Sequence, residues 1–411
     1  MIIRSVSTED VRRTLPSGQG EDSVHTNPVY SYAVTKLHCD DGVVGVGITF
    51  TLGDGNELVC RAIALLADEL VGEELGELMS QFGAKLHRLR NHPRLRWLGP
   101  DKGLIHLALA SIVNSCFDLW AKAEGTPLWK LLIELAPEQI VALLDFAGIE
   151  DVLNHDEAVE LIKHHSSGRP DRRGVLKSGY PGYDTSVGWI NYDDDEIVRK
   201  SLKAVGDGFG AIKLKVGSAD PTRDVRRLYL LRRALGDDIK IMLDANQKWE
   251  FRQALHIGTE IRGMNPYWIE EPLHPDDVVG HSRLQDALAP IQIAAGEHIP
   301  NSVMFKNFLQ MKALSICQVD CTRVAGVSEF ILVSLLARKF DVKVIPHVGD
   351  MGQIHQHLVL FNHIALGMDL AFLEYIPHLQ QLFKYPAIVR NGVYEVPHEA
   401  GAGCDFVDWR S

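Results

Sequence analysis

The chain lacks the cysteine pattern of a disulfide-bonded or zinc-bound scaffold. Its 411 residues include six cysteines, and no two of them form a Cys-x-x-Cys pair. Scattered cysteines in a chain this long are typical of reduced, mostly buried thiols. The sequence also has no continuous apolar run of about 18 residues and begins without the cationic and apolar regions of a signal peptide. We therefore expect a cytoplasmic protein with no membrane partner.

A basic surface is missing as well. The chain has 42 Lys and Arg against 54 Asp and Glu, which gives a formal net charge of −12. Nucleic acids and anionic membranes attract proteins with positive fields, so we expect no nucleic-acid partner. An anionic small molecule remains compatible with this charge, because lysines or a metal ion can reverse its sign inside one pocket.

Three acidic residues stand out by their spacing. Asp244, Glu270 and Glu297 each follow a short apolar run, and they are 26 and 27 residues apart. One strand, one helix and two short loops consume about that length, so the three carboxylates are predicted at the same ends of successive parallel strands. A single acidic residue in such a place can also be a helix cap. The repeated register favours a shared site.

The same register continues in both directions along the chain. Lys213 and Lys215 end an earlier apolar run, and Asp320, His347 and Glu374 follow Glu297 at intervals of 23, 27 and 27 residues. A polar residue at the end of each successive strand is typical of the catalytic rim of a TIM-type β/α barrel, which is an α/β fold. The sequence thus predicts a barrel enzyme.

The length of the chain predicts a second domain, since a β/α barrel typically needs about 250 residues. A hairpin over 32–51 followed by helices predicts an α+β domain over 1–138. We place the barrel over 139–384, with a polar insertion around 151–182. The turn-rich tail 385–411 is expected to pack back on the first domain.

The three carboxylates form an all-oxygen set that suits Mg²⁺ before Mn²⁺ or Ca²⁺. Zinc is disfavoured because no His-x-His pair precedes them on an early strand. His355 and His357 form such a pair, but they lie in a helical stretch, where a surface or packing role is favoured. We predict Asp244, Glu270 and Glu297 as ligands of Mg²⁺.

A divalent ion on a substrate carboxylate acidifies the neighbouring C–H by stabilising an enediolate. Lys215 is the candidate base, with a pKa lowered by Lys213 and the metal; a structural salt-bridge lattice is the alternative for these lysines. Asp320 is expected to orient His347 across the pocket. Glu374 would donate a hydrogen bond to the enediolate if protonated or orient the substrate if ionised, unless it is a helix cap.

Other polar residues near the strand ends are candidates for contacts with the substrate. Asn246 shares a face with Asp244, while His298 and Arg323 come just after strand ends; Trp189 is a further candidate. The segment 18–32, rich in Gly, Ser and Asn, is predicted to be a lid that reads the substrate.

The motifs around these residues resemble the enolase superfamily in its mandelate-racemase-like branch. They are Lys213-Leu-Lys215, Asp244-Ala-Asn-Gln, Trp268-Ile-Glu-Glu-Pro272, Gly296-Glu297-His298, Asp320 and His347. Further motifs between about Asn27 and Leu379 resemble the L-fuconate dehydratases. These are Asp118-Leu-Trp-Ala-Lys-Ala-Glu-Gly, Tyr180-Pro-Gly-Tyr, Thr185-Ser-Val-Gly-Trp189, Asp276-Asp277, Gly280-His281 and Met304-Phe-Lys306.

The resemblance implies an α+β capping domain over a modified (β/α)₇β barrel, with Mg²⁺ on the three carboxylates. It implies Lys215 as the C2 base, Lys213 at the substrate carboxylate, and His347 with Asp320 as the acid that protonates the departing 3-hydroxyl. Glu374 would match the residue that hydrogen-bonds the enediolate.

The activity implied is that of a hydro-lyase that converts an acid sugar to a 2-keto-3-deoxy acid sugar. L-Fuconate is the leading substrate, with L-galactonate and D-arabinonate as alternatives, and we expect a homo-oligomer. A racemase or epimerase on the same rim and a catalytically silent scaffold remain as alternative functions. The stretch after Pro346-His347 departs from the family's usual glycine-rich pattern, so the sugar is less constrained than the reaction class.

Overall fold

The structure is a computed structural model that describes residues 1–99 and 101–407. The strands are β1 (Ile3–Thr14), β2 (Val29–Cys39), β3 (Val44–Thr51), β4 (Tyr180–Asp184), β5 (Ala211–Lys215), β6 (Lys240–Asp244), β7 (Trp268–Glu270), β8 (Gln292–Ala295), β9 (Ile316–Cys317), β10 (Lys343–Val344), β11 (Leu373–Tyr375), β12 (Val389–Arg390) and β13 (Val393–Tyr394).

The α-helices are α1 (Asn56–Ala67), α2 (Leu75–Ser80), α3 (Phe82–Arg90), α4 (Gly103–Ala123), α5 (Leu128–Glu134), α6 (Pro137–Ala142), α7 (His155–His164), α8 (Arg169–Arg172), α9 (Val175–Ser178), α10 (Asp194–Gly206), α11 (Pro221–Leu235), α12 (Phe251–Ile261), α13 (Val278–Leu288), α14 (Ser302–Gln310), α15 (Gly326–Lys339) and α16 (Ile354–Leu366). Short 3₁₀ helices lie at Asp68–Leu70, Arg96–Leu98, Ser166–Gly168, Arg262–Met264 and Pro377–Leu382.

The N-terminal part of the chain is built on a three-stranded antiparallel sheet. The predicted hairpin corresponds to β2 and β3, and β1 adds a third strand along β2. Helix α4 packs closely on β3, because Gly45 and Gly47 present no side chain to it. A Cβ on Gly47 would lie 2.0 Å from the carbonyl oxygen of Ser111 in α4. The alternating glycines of β3 therefore permit the helix to lie on the sheet.

Helix α4 is the one helix among the described residues that is long and apolar enough, by length and composition, to cross a membrane. Its most apolar window has a mean hydropathy of 1.5, and 83% of that window is buried inside the protein. The helix packs against β3 and α15. Its apolar surface is thus part of the core.

The second part of the chain consists of seven βα units followed by a last strand. The parallel strands β4 to β10 pair in chain order, and β11 pairs with β4. Helices α10 to α16 connect them one by one. This arrangement confirms the predicted (β/α)₇β barrel with an N-terminal α+β domain.

Inside the barrel, an apolar layer of side chains is followed by a charged layer, because side chains on a strand alternate between its two faces. A cluster of buried side chains fills the interior: Tyr183, Ala211, Met242, Trp268, Ala294, Ile316 and Ile345. Side chains two positions apart on a strand share a face. Lys213, Asp244 and Glu270 follow members of this cluster by two positions and therefore form the next layer toward the carboxyl ends of the strands.

The segment 151–182, predicted as a polar insertion, differs from that expectation. It contains α7, α8 and α9, and its last three residues begin β4, the first barrel strand. Arg172 donates to the backbone carbonyl of Ile364 at 3.0 Å, so the helices pack on α16. The polar sequence suggested an insertion because these short helices expose much of their surface. A mostly buried strand, β4, follows them directly.

The tail 385–411 contacts both parts of the chain. Lys122 of α4 lies 2.9 Å from Asp405, and the Trp129 indole donates to the backbone carbonyl of Pro397 at 2.8 Å. Strand β13 also pairs with β4 of the barrel. The predicted domain boundaries stay predictions, and residues 408–411 of the tail lie outside the described residues.

Candidate active site

A cavity of about 480 Å³ lies at the carboxyl ends of the barrel strands, between the barrel and the N-terminal part of the chain. Eight of the predicted site residues line it: Trp189, Lys215, Asn246, Glu297, His298, Arg323, His347 and Glu374. The other four lie outside this lining and are almost fully buried: Lys213, Asp244, Glu270 and Asp320. The barrel register therefore brings all twelve into or next to one site.

The three predicted metal ligands come from neighbouring strands. Asp244 and Glu270 end β6 and β7 and are direct partners in the sheet, while Glu297 lies two residues beyond β8. A second group of possible ligands lies next to them: the ligand atoms of Glu271, Glu297 and His298 are within 4.8 Å of one another. Among the described residues, the three predicted ligands are not as close together as this second group. Glu297 therefore belongs to both groups.

The two lysines form ion pairs with the carboxylates of this layer. Lys213 Nζ lies 2.9 Å from Glu270 Oε1 and 2.7 Å from Glu374 Oε1. Lys215 Nζ lies 2.5 Å from Asp244 Oδ2 and 5.9 Å from the centre of the Trp189 ring. Both ammonium groups are therefore held by buried anions, as their own burial requires.

The predicted lowering of the Lys215 pKa is wrong for these contacts. Burial lowers the pKa and so does the neighbouring charge of Lys213, but the attraction of Asp244 outweighs both, and the pKa of Lys215 is raised. Burial, followed by the charge of Asp244, raises the pKa of Glu270 to about 8. The negative charge of the carboxylates in this layer exceeds the positive charge of Lys213 and Lys215.

Across the cavity, His347 and Asp320 form a pair. His347 Nδ1 lies 2.8 Å from Asp320 Oδ2, and its Nε2 lies 3.1 Å from Glu297 Oε2. Burial lowers the pKa of His347, but Glu297 and then Asp320 outweigh it and raise the pKa to about 9. These two carboxylates favour the protonated imidazole and hold it in a fixed orientation.

Glu374 completes the rim beside the lysines. Its Oε1 accepts from Thr185 Oγ1 at 2.5 Å as well as from Lys213, while its Oε2 has no hydrogen-bond partner among the described residues. Burial raises the pKa of Glu374, but Lys213 outweighs burial and lowers it. Of the two states considered for Glu374, the contacts favour the ionised one.

The candidate substrate-binding residues are partly engaged with each other and with the protein. Lys215 donates to Asn246 Oδ1 at 3.3 Å. His298 Nδ1 lies 2.9 Å from Glu271 Oε1, which outweighs burial and raises the pKa of His298 to about 10. Arg323 donates to the backbone carbonyl of Phe50 at 3.2 Å and so connects the rim to β3.

The cavity also contains residues that the sequence did not single out. Asp22 and His25, from the segment 18–32 predicted as a lid, line it, and Ser23 Oγ donates to the Ala245 carbonyl at 3.1 Å. The segment is therefore packed against the barrel rim. Glu271 was detectable in Trp268-Ile-Glu-Glu-Pro272, where it directly follows a predicted ligand. His106 had no detectable signal, because it lies within an apolar helix.

Two family descriptions match the chain. "Mandelate racemase / muconate lactonizing enzyme, N-terminal domain" matches residues 3–132, and "Enolase C-terminal domain-like" matches residues 196–409. Together they cover the N-terminal sheet with its helices and most of the barrel, and the second alone spans more than half of the chain.

Three known proteins are similar over nearly the whole length. Human mitochondrial enolase superfamily member 1 superposes with a TM-score of 0.93 and 38% identity, over 98% of this chain and 94% of its own. L-Galactonate dehydratase of Hypocrea jecorina is 37% identical over 93% of this chain and 86% of its own. L-Talarate/galactarate dehydratase of Salmonella typhimurium LT2, liganded with Mg and L-lyxarohydroxamate, gives a TM-score of 0.79 and 25% identity over 99% of this chain and 91% of its own.

Proposed function

The chain belongs to the mandelate racemase and muconate lactonizing enzyme branch of the enolase superfamily, and on this premise we propose that it is a Mg²⁺-dependent acid sugar dehydratase acting on L-fuconate. Two relatives above are named as dehydratases of acid sugars. The observation that carries the proposal is the two-sided cavity, with Lys215 on one side and the His347–Asp320 pair on the other.

Members of this superfamily depend on Mg²⁺, and related structures contain it. The donor set here fits: Asp244, Glu270 and Glu297 offer buried carboxylate oxygens, and a divalent cation would offset the burial and the charge of Asp244 that raise the pKa of Glu270. When bound, the cation would draw charge from the substrate carboxylate and compete with Lys215 for Asp244. We assign these three residues as its ligands.

Lys215 is the base in this proposal. Its Nζ reaches into the cavity beside Asn246, and its neutral form would accept the proton from C2. Lys213, bound by Glu270 and Glu374, supplies a fixed positive charge where the substrate carboxylate gains negative charge. Glu374 keeps Lys213 in place, and its Oε2, which accepts no hydrogen bond within the described part of the chain, lies near the site.

His347 is the acid. Its contacts with Glu297 and Asp320 favour the protonated form, which can transfer the Nε2 proton to the 3-hydroxyl; this hydroxyl leaves as water while the C2–C3 double bond forms. Asp320 holds Nδ1 and stabilises the imidazolium before the transfer. The resulting enol becomes the 2-keto-3-deoxy acid, so one proton is taken at C2 and one is given at the oxygen of C3.

A terminal methyl group of the sugar would find apolar side chains to pack against in this cavity. Its lining includes Phe50, Leu107, Ile299, Met351 and Leu379, next to polar residues such as Asp22 and His106. L-Fuconate is the 6-deoxy form of L-galactonate and differs from it by a methyl in place of a hydroxymethyl group. Apolar contacts favour the methyl, although such a pocket rejects an added hydroxyl only about 10²-fold. L-Galactonate is therefore the expected second substrate.

The test is a panel of acid sugars, including L-fuconate, L-galactonate and D-arabinonate, incubated with the purified protein and Mg²⁺. We expect 2-keto acid from L-fuconate with the highest kcat/KM, and none after chelation of the metal until Mg²⁺ is restored. Absence of keto acid from the whole panel would contradict the dehydratase. A C2-inverted sugar without keto acid would instead identify an epimerase, which the facing pair Lys215 and His347 could also support.

A further inference from the structure

Arg227 on α11 is a buried cation that has no part in the reaction described above. Its side chain has no exposed surface, and an arginine stays charged in proteins. Both hydrogen bonds that its guanidinium makes within the described residues go to backbone carbonyls: Nη1 donates to Lys215 at 3.1 Å and Nη2 donates to Trp189 at 2.8 Å. A buried charge is costly unless polar groups meet it. Two residues that line the cavity meet this one.

The end of β5 that carries Lys215 has little pairing with the neighbouring strand β4. Among the described residues, the two strands pair only at Asp184 with Ile212, three residues before Lys215. Beyond this pair the loop after β4 lies beside β5, and the backbone N–H of Lys215 donates to the Gly188 carbonyl at 2.8 Å. A Cβ on Gly188 would lie 2.2 Å from the carbonyl oxygen of Lys213, so glycine permits the loop to come this close.

The peptide groups on both sides of the Lys215 Cα atom are therefore fixed. The loop carbonyl of Gly188 binds the N–H of Lys215, and the guanidinium of Arg227 binds its C=O. The direction of the Cα–Cβ bond follows from these two peptide groups, and the side chain starts from that bond. Arg227 thus holds the backbone from which the Lys215 amine reaches into the cavity.

The second carbonyl that Arg227 binds belongs to the residue beside the amine. The centre of the Trp189 ring lies 5.9 Å from Lys215 Nζ, and Trp189 is 2% exposed. The guanidinium is planar and its N–H groups have a fixed spacing. One rigid group therefore sets how the backbones of Lys215 and Trp189 are placed relative to each other.

Arg223, one turn earlier on α11, makes the same kind of contact at a different place. Its Nη2 donates to the backbone carbonyls of Ile190 at 2.7 Å and Tyr192 at 3.1 Å. Neither of these two residues lines the cavity. Arg223 thus attaches the same loop to the same helix without contacting the proposed base, which makes it the control for a purely structural role.

We propose that Arg227 is a positioning residue, which holds Lys215 and Trp189 in the orientation in which the Lys215 amine reaches C2 of the substrate. The proposal rests on the function given above, in which Lys215 removes the C2 proton. Removal of this proton precedes loss of the 3-hydroxyl. A base that is displaced by a fraction of an ångström therefore slows proton exchange at C2 and dehydration alike.

The kinetic test compares the two arginines of α11. We expect Arg227→Met to lower C2 exchange with D₂O and kcat for keto-acid formation by the same factor, roughly 10- to 100-fold, with KM changed less than about threefold. Arg227→Lys keeps the charge but can reach only one of the two carbonyls, so its loss should be smaller, roughly three- to tenfold. Arg223→Met should leave both rates within about twofold of the wild type.

Calorimetric titration with Mg²⁺ alone counts the intact sites in each variant. Arg227→Met should bind Mg²⁺ with the stoichiometry of the wild type although its exchange rate falls. A stoichiometry that falls in proportion to exchange would indicate partial unfolding and would overturn the positioning role. If Arg227→Met does not fold, the same comparison is made with Arg227→Lys, where exchange at the wild-type rate would overturn it.

A second measurement does not depend on turnover. The protein is labelled with 5-fluorotryptophan, and the ¹⁹F resonance of Trp189 is identified among the seven tryptophans by its loss in Trp189→Phe. This resonance should move in Arg227→Met and Arg227→Lys, because the carbonyl of Trp189 loses its donor or shares it. It should stay in place in Arg223→Met.

The outcomes are distinct from those of the proposed function. An unchanged Trp189 resonance in Arg227→Met, or equal losses of exchange in Arg227→Met and Arg223→Met, would overturn the positioning role even if the enzyme dehydrates L-fuconate. Loss of dehydration with full exchange would also overturn it, because Arg227 would then act on the acid. Failure of the wild type to form keto acid would refute the dehydratase, while the Trp189 resonance still decides whether Arg227 holds this part of the rim.

Discussion

The two ends of the cavity are built differently. The reacting end consists of charged side chains at the ends of short parallel strands, where Lys213, Asp244 and Glu270 are buried and paired. The far end, toward the N-terminal part of the chain, has side chains from β3, α4 and the segment 18–32, which include apolar Phe50 and Leu107 beside polar Asp22 and His106. Rigid strands hold the groups that must keep an exact geometry, and the surrounding elements hold those that can vary. Reaction class and choice of sugar are thus encoded in separate parts of the chain.

The largest expected effect comes from removing the base at the reacting end. Lys215→Ala should lower keto-acid formation by roughly 10²–10⁴-fold, because it removes the side chain proposed to accept the C2 proton. Exchange of the C2 proton with D₂O should fall by the same factor, which NMR of the substrate can measure. Retained exchange would show that another group removes the proton and would end the assignment of Lys215.

The next effect concerns the junction between the two parts of the chain. Glu329 on α15 lies 2.6 Å from His106 of α4 and accepts from the backbone N–H of Ser302 at 2.8 Å, with Arg90 at 3.9 Å. Glu329→Gln removes the buried carboxylate that His106, Ser302 and Arg90 contact and should lower the free energy of unfolding by about 3 kcal/mol in urea titrations. Asp151→Asn, which breaks an exposed pair with Lys306, should cost under about 1 kcal/mol.

Equal effects of those two substitutions would contradict this description of the junction. If Glu329→Gln also raised KM for the sugar while exchange at saturation persisted, the placement of the N-terminal part would be shown to serve the far end of the cavity.

A smaller effect is expected at the far end itself. Leu107→Ser places a hydroxyl where a methyl group is proposed to bind and should shift the ratio of kcat/KM for L-fuconate over L-galactonate by roughly tenfold toward L-galactonate. Leu104→Ser, one turn earlier on α4 and outside the cavity lining, is the control. A change in kcat for both sugars without a change in the ratio would assign Leu107 to the reacting end.

The reacting end could be predicted because its polar residues recur at a nearly constant spacing along the chain. Apolar strands of fixed length placed Asp244, Glu270, Asp320 and His347 in one register, and parallel pairing brings such positions together. The barrel and its N-terminal domain were predictable on the same basis. Substrate roles of these residues stay predictions until the variants are measured.

The remaining features depend on tertiary contacts that carry no local pattern. Strand β4 was missed because it directly follows a polar helical segment and is short. The raised pKa of Lys215 follows from the Asp244 contact at 2.5 Å, which spacing cannot give. His355 was assigned a surface or packing role because the sequence shows its helix but not the neighbour, 35 residues earlier at Asp320, that the helix brings to it.

The last effect concerns a buried histidine in a region that takes no part in the reaction. Burial lowers the pKa of His357 to about 3 from 6.5. Between pH 3 and pH 6.5, His357 is protonated in the unfolded chain but not in the folded protein. The free energy of unfolding therefore decreases as pH falls from about 6.5 to about 3, by up to about 1.4 kcal/mol per pH unit. Unfolding curves of His357→Leu should show a shallower slope over this range. Identical slopes would mean that His357 is protonated in the folded protein.

The central claim is that Lys215 removes the C2 proton and His347 then protonates the 3-hydroxyl. The most direct measurement follows L-fuconate by NMR in D₂O with Mg²⁺, using wild-type protein and His347→Asn side by side. We predict that the wild type forms the keto acid, while the variant loses it by roughly 10²–10⁴-fold and still exchanges the C2 proton. Keto-acid formation at the wild-type rate in His347→Asn, or loss of exchange together with dehydration, would contradict the account.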